Sequence, residues 1–462
     1  MALSAGHIIS IVLTLLLIVA AGVYSGKKVK NSSDFDSGGK SGAFVVAGAI
    51  TGTLVGGSST VGTAQLAYTY GMSAWWFTLG AGISCLILAL FFIGPFRRHE
   101  SATLTGMISK EFGAGTGMLA SVLSSVGIFI NLLAQLVAAQ SLIITIFPGM
   151  GLFPSTLLAA VIMAIYVIFG GVLAAGIVGV VKLVLLYIAV IAAGILAAVL
   201  SGGVGSFWNA LPHETYFNLF ARGFGVDVGA GVSLLLGVLS TQTYAQAVKS
   251  GISDKAARNG ALLSAFLIPP IGVGGILVGM HMKLYYPDID PVQAFPMFIL
   301  EYMPPLLGGI VLATLFIAVV GTGSGLSLGI SSIINNDIIR RITRKFDEPK
   351  KKLLISRILI LIVLASGLIL TVIGVGDLIL QFGFMSMGLR AAVVFLPMFC
   401  ALFFPGRIRS IFAKVAIVAG PLGVFAGKLA KVSFDPLFIG MAVALVVICA
   451  GFIAGKKNPD IA

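Results

Sequence analysis

Two basic side chains set inside apolar runs are the groups of this chain best placed to do chemistry. Lys182 lies in GIVGVVKLVLLY and Arg390 in FGFMSMGLRAAVVFLP, whereas all 16 carboxylates fall in polar stretches or at the ends of apolar runs. A charge at the centre of a bilayer costs at least about 2.5–3.5 kcal/mol, so its position reflects a use. For Lys182 there are two readings: a long stem that snorkels to the interface, or an ammonium held in the interior. Arg390 is too deep to snorkel. Its guanidinium either bonds backbone carbonyls freed by a neighbouring broken helix or faces a cavity, where its fork suits a carboxylate.

The second chemical feature is backbone. The stretch AFVVAGAITGTLVGGSSTVGTAQLAYTYG (Ala43 to Gly71) is apolar and long enough to cross a bilayer, which takes about 20 residues. Its middle is a poor helix, because Gly48, Gly52, Gly56, Gly57 and Gly62 each cost roughly 1 kcal/mol relative to Ala. Ser58, Ser59 and Thr60 follow the glycine pair directly. Lipid satisfies no free backbone group, so an unwound span survives only where protein or water covers it. Carbonyl oxygens exposed in that way are what transporters offer to ions and solutes. The alternative is close helix packing through small residues.

The elements that must position these groups are membrane spans. The 462 residues are 58% hydrophobic and 10% charged, with a mean hydropathy of +1.10; soluble domains carry about 25% charge. The expected fold class is therefore an all-α polytopic membrane protein. Alternating strand-sized segments of a barrel are absent. Cys85, Cys400 and Cys449 sit in apolar runs at unrelated spacings, as buried hydrophobes do. No HExxH or paired-carboxylate pattern points to an enzyme. About thirteen spans are expected, near 5–26, 43–70, 73–96, 115–147, 153–170, 177–202, 227–248, 259–282, 305–335, 353–374, 378–404, 411–430 and 434–455.

Where the charge falls explains a net charge of +13 without nucleic acid. Alternate loops hold Lys27, Lys28, Lys30, Lys40, Arg97, Arg98, Lys110, Lys249, Lys255, Arg258, the run from Arg340 to Arg357, and then Arg407, Arg409, Lys414, Lys456 and Lys457. The opposite loops hold only Arg222, Lys283, Lys428 and Lys431. That asymmetry predicts the first set to be cytoplasmic, with the N-terminus outside and the C-terminus inside a cell (inner) membrane. The run from Arg340 to Lys352 reads as a solvated loop that can also touch anionic lipid.

Two further spans are unusual. The one at 305–335 carries Gly321-Thr322-Gly323-Ser324-Gly325, and the one at 227–248 ends in Ser240-Thr241-Gln242-Thr243-Tyr244-Ala245-Gln246. The latter lies five spans after the glycine-rich stretch, as two inverted five-helix repeats with broken first helices would place it. The repeats are expected at 43–202 and 227–404, with an extra helix at 5–26 in front and two at 411–455 behind.

Several ordered pieces carry a family resemblance. They are GTAQLAYTYGMSAWWFTLG (Gly62 to Gly80), RRHESATLTGMISKEFG (Arg97 to Gly113), LLAQLVAA (Leu132 to Ala139), GGVLA (Gly170 to Ala174), QAVKSGISDKAARNGALL (Gln246 to Leu263) and SSIINND (Ser331 to Asp337). Through them the chain resembles the sodium:solute symporters, the group of bacterial proline, sugar, sialic acid, pantothenate and monocarboxylate transporters. The resemblance implies a leucine-transporter-type core of two inverted repeats. It also implies a sodium ion between the second and ninth spans, on the carbonyls of Gly52, Val55 and Ala318 and the hydroxyl of Thr322. Hard cations take several oxygen ligands, and carbonyl dipoles supply them without carboxylates. Solute contacts are expected from Ser59, Thr60, Gln135 and Gln242, with Arg390 as the carboxylate clamp.

Three departures bear on that implication. Gly321 precedes Thr322 where the family usually has two adjacent hydroxyls. Gly179 and Lys182 stand where an Asp and a Gln are common, and at i, i+3 they share a helix face. Ala247 replaces an Arg. The expected function is a secondary active symporter that imports a small organic, anionic or zwitterionic solute on a sodium gradient by alternating access. Its partners are that solute and the bilayer, its assembly a monomer or weak oligomer. The alternatives are proton-coupled or uncoupled transport with Lys182 as the coupling residue in place of sodium, or a transporter-like solute sensor.

Overall fold

The computed structural model describes residues 3–28, 41–101, 103–170, 175–339, 349–374 and 378–455. Most of the Gly170 to Ala174 motif and the basic stretch 340–348 lie outside the described residues. The described chain is helical, with no strand beyond one isolated bridge between Ser41 and Gly251. In chain order the main helices are α1 (Ala5–Lys28), α2 (Ala43–Leu54), α3 (Thr63–Tyr70), α4 (Trp76–Ile87), α5 (Leu104–Phe112), α6 (Ala114–Ile146), α7 (Leu152–Gly170) and α8 (Ala175–Leu200). They continue with α9 (Phe224–Leu239), α10 (Gln242–Ser250), α11 (Asp254–Tyr285), α12 (Ala294–Tyr302), α13 (Pro305–Ile333), α14 (Pro349–Val372), α15 (Ile379–Arg390), α16 (Leu396–Phe403), α17 (Ser410–Leu429) and α18 (Leu437–Ile453). Among the described residues eight helices are long and apolar enough to cross a membrane, or nine when α9 and α10, bent by 49°, count as one span. Shorter apolar helices include Ala43–Leu54 and Leu437–Ile453.

Both interruptions expected from sequence are present. Helix α2 ends at Leu54 because Val55 turns to extended backbone (φ −85°, ψ 100°), and the chain resumes through a wide π turn, Ser58–Gly62, into α3. The second break falls at Ser240 and Thr241, between α9 and α10. At Gly71 the chain reverses with φ 54°, and a Cβ there would stand 2.2 Å from the Tyr216 carbonyl oxygen, so only glycine fits.

Small residues let the helices touch, since apolar lipid gives no hydrophobic drive for association and packing must supply it. Helix α11 is the axle: it packs along α2, α3, α4 and α8. A Cβ on Gly274 of α11 would meet the Val190 carbonyl of α8 at 2.6 Å, and one on Gly279 would meet the Ala64 carbonyl of α3 at 2.4 Å. Helix α8 in turn rests on α1, α2 and α13, while α6 lies between α13 and α15. The two halves of the first broken span are thereby enclosed by α6, α8, α11 and α13.

Gly274→Ala should lower the thermal midpoint of the purified protein, since its methyl would meet the Val190 backbone carbonyl first; overpacking of this kind costs about 1–3 kcal/mol. Gly94→Ala, with open space around it, should leave the midpoint where it is. Equal midpoints for the two variants would show that the α8–α11 approach is not tight.

Candidate functional site

The break after α2 leaves backbone groups without helical partners, and neighbouring groups take them up one by one. The Gly56 N–H donates to Ser59 Oγ (3.0 Å), so the Gly52 carbonyl loses the donor an unbroken helix would give it. The Gly57 N–H donates to Gln135 Oε1 of α6 (3.0 Å). Ser59 Oγ and Thr60 Oγ1 donate back to the Gly56 carbonyl at 3.1 and 2.8 Å. Gly56 and Gly57 are needed for this approach: a Cβ on the first would stand 2.9 Å from Thr322 Oγ1, and on the second 2.6 Å from Ala138 Cβ. Ser59 and Thr60 are fully buried and Gln135 nearly so. Beside them, the buried Ser58 Oγ has no partner among the described residues.

On the other side of the break lies a set of oxygens. Lys182 Nζ, carried by α8, reaches the Ala318 carbonyl at 3.0 Å, Thr322 Oγ1 at 3.2 Å and the Gly52 carbonyl at 3.4 Å. These are three of the four groups expected to hold sodium; Val55, the fourth, is the fully buried extended residue at the break. Lys182 is buried, so the snorkelling reading fails: the stem runs inward, not to the interface. Its three N–H donors face three neutral oxygens, two on α13 and one on α2. Thr322 Oγ1 also donates to the Ala318 carbonyl at 2.8 Å, which fixes the hydroxyl as acceptor toward the ammonium. At Gly321 a Cβ would meet nothing nearer than the Tyr166 hydroxyl, 3.9 Å away.

The remaining two residues stand apart from this cluster. Arg390 is buried with its fork spent on protein groups: Nε donates to the Ser386 carbonyl (3.2 Å), Nη1 to Thr241 Oγ1 (2.9 Å) and Nη2 to Ser386 Oγ (2.8 Å), with Met387 Sδ at 3.3 Å. Arg390 thus ties α15 to the break between α9 and α10. Gln242 Oε1 accepts from the Leu104 N–H (2.7 Å), on the end of the molecule where the basic loops gather. There Arg97 Nε donates to Asp254 Oδ1 (2.5 Å), Arg97 Nη1 to the Gly251 carbonyl (2.6 Å), and Lys249 Nζ to the His99 carbonyl (2.7 Å). Sequence reading singled out neither Asn131 nor the hydroxyl of Ser58 as a site group. Asn131 lies one turn before Gln135, its Oδ1 3.4 Å from Gln135 Nε2, a spacing that was available as a signal.

The Sodium:solute symporter family profile matches residues 35–410. The chain belongs to that family. Membership places it in a family of solute transporters. The high-affinity choline transporter 1 of Drosophila melanogaster is 26% identical over 390 residues, covering 79% of this chain and 62% of that protein, so the chain spans about three fifths of that relative's length. A Na+-coupled sialic acid symporter, solved substrate-bound and outward-open, superposes with a TM-score of 0.78 at 18% identity, over 98% of this chain and 99% of that one. MhsT, solved with L-phenylalanine, gives 0.53 at 16% identity over 89% and 98% of the two chains. The all-helical fold is thus one shared with solved transporters.

Gln135→Ala should strand the Gly57 N–H, and an unpaired buried donor costs about 1–3 kcal/mol. The expected readout is faster hydrogen–deuterium exchange in peptides covering residues 55–62 and a lower thermal midpoint. Asn131→Ala, which removes only a long contact, should change neither. Unaltered exchange in Gln135→Ala would show that Gln135 does not hold the break.

Proposed function

We propose that the chain is a secondary active symporter that imports a small organic solute by alternating access around the break at Val55 to Gly57. One observation carries this reading: buried Gln135, Ser58, Ser59 and Thr60 converge on an unwound backbone inside an apolar stretch of span length. Irregular backbone at membrane depth is tolerated where it lines a binding cavity. The proposed solute contacts are Ser59, Thr60 and Gln135, with Ser58 added for its unpartnered hydroxyl. Because the second half-helix starts here, its N-terminal dipole favours an anionic or zwitterionic solute. Gln242 and Arg390 are proposed to act on the moving parts instead, through the contacts to Leu104 and Thr241.

The finer architecture is proposed on the same footing: about thirteen spans, two inverted repeats over 43–202 and 227–404, one helix before and two behind. Its support is that the two breaks fall in the expected first helices of the repeats. The gathering of Arg97, Lys249, Asp254 and their carbonyl partners on one end supports the proposed cytoplasmic face.

The oxygens of Gly52, Val55, Ala318 and Thr322 have the chemistry a sodium ion takes. A second reading, proton-coupled or uncoupled transport with Lys182 in place of sodium, is favoured by the three bonds from Lys182 Nζ to that same set.

Reconstitution in proteoliposomes tests both. Small carboxylates, amino acids, sugars and vitamins would be offered under a sodium gradient, a proton gradient or neither. Accumulation above the outside concentration of at least one solute is expected, and Ser59→Ala should reduce its kcat/KM about tenfold or more, as loss of a direct contact does. No accumulation under any gradient would sink the transporter reading for this chain.

A further inference from the structure

We propose that the Lys182 ammonium is the resident cation of the Gly52–Ala318–Thr322 pocket, tethered by the protein itself, so that sodium enters only by displacing it. The inference rests on the symporter reading to the extent that this pocket is the one between the broken span and α13. Beyond that it stands on the local geometry.

An ammonium and a small metal cation compete for the same thing, a ring of oxygen lone pairs pointing inward. The pocket has such a ring and the lysine is inside it: two carbonyls and a hydroxyl lie 3.0–3.4 Å from Nζ. Lys182 has no carboxylate among these partners, and none of the ion pairs among the described residues includes it. The dipoles of neutral groups therefore carry the charge, which is how a sodium site without carboxylates works too. A sodium ion placed among the same three oxygens would have the ammonium as a neighbour at contact distance. Two unit charges a few ångströms apart in a poorly hydrated interior repel strongly, so joint occupancy is excluded.

The tether also has a mechanical consequence. Nζ joins the Gly52 carbonyl at the end of α2 to Ala318 and Thr322 on α13. A diffusible ion would make that link only when bound. Here the link comes with the chain, so the broken span and α13 are held together without sodium.

The pocket's occupant can be read without any solute, by thermal unfolding of the purified full chain while sodium replaces potassium at constant ionic strength. Binding to the folded state alone raises the midpoint in a saturable way. Wild type and Lys182→Arg, which keeps the tethered charge, are expected to show no sodium-specific rise. Lys182→Ala, which vacates the pocket, should gain one, with a half-saturating concentration at least about tenfold below any seen in wild type. Lys182→Gln carries the same expectation, and its amide can still bond one carbonyl should the alanine chain not fold. A wild type that responds to sodium as strongly as Lys182→Ala would overturn the proposal, as would neutral variants that fold and ignore sodium. Loss of transport in the proteoliposome experiment leaves this readout intact, so the two failures are told apart.

Discussion

Everything near the centre of this molecule follows from one constraint: a helix that stops inside a membrane must have every freed backbone group satisfied by something other than lipid. Each unsatisfied group there costs several kcal/mol. The break at Val55 to Gly57 frees N–H groups on one side and a carbonyl on the other. Ser59 takes the Gly56 N–H, Gln135 takes the Gly57 N–H, and Lys182 takes the Gly52 carbonyl. The three partners come from the second half-helix, α6 and α8, so the local break dictates which helices must lie beside it. Gly56 and Gly57, with no side chain, allow that approach.

Much of this was legible in the sequence because the signals are local. Glycines followed by Ser58-Ser59-Thr60 inside an apolar run favour a break over close helix packing, and both breaks fall where composition placed them. The direction of the long side chains was not legible. A lysine stem reaches either the interface or the interior from the same turn of helix, and only the position of α13, some 136 residues on, decides between them. Arg390 shows the same limit. Its depth was plain, but its fork is taken by Thr241, 149 residues away, and by Ser386 one turn before it. Gln242 sits beside the second break as read, yet its amide oxygen is engaged by Leu104 N–H. Polar residues near a break divide between those that line it and those that brace it, and periodicity does not separate the two.

The bracing is unequal at the two breaks. At the first, the partners are single neutral groups and one ammonium, each bonded to backbone. At the second, Thr241 donates to the Gly237 carbonyl at 2.6 Å while accepting from Arg390. A guanidinium held on four protein acceptors is a stiff strut, because its planar donors are preorganised. The second break is thus pinned from α15 by a charged group with four acceptors.

Two of the three departures, Gly321 and the Gly179–Lys182 pair, read as one chemical change. A sodium ion is a bare charge that wants as many oxygens as geometry allows, so a second hydroxyl beside Thr322 and a nearby carboxylate both strengthen its site. An ammonium brings three donors and needs three acceptors; a fourth oxygen adds little, and its bulk needs room. Glycine at 321 removes the extra hydroxyl and leaves space toward Tyr166. Glycine at 179 lies one turn from Lys182 on the same helix and offers it no carboxylate. Lys182 itself supplies the charge and satisfies the Gly52 carbonyl that the break exposes. Lys182 and the glycines at 179 and 321 thus belong to one arrangement, in which neutral oxygens of α2 and α13 take the ammonium.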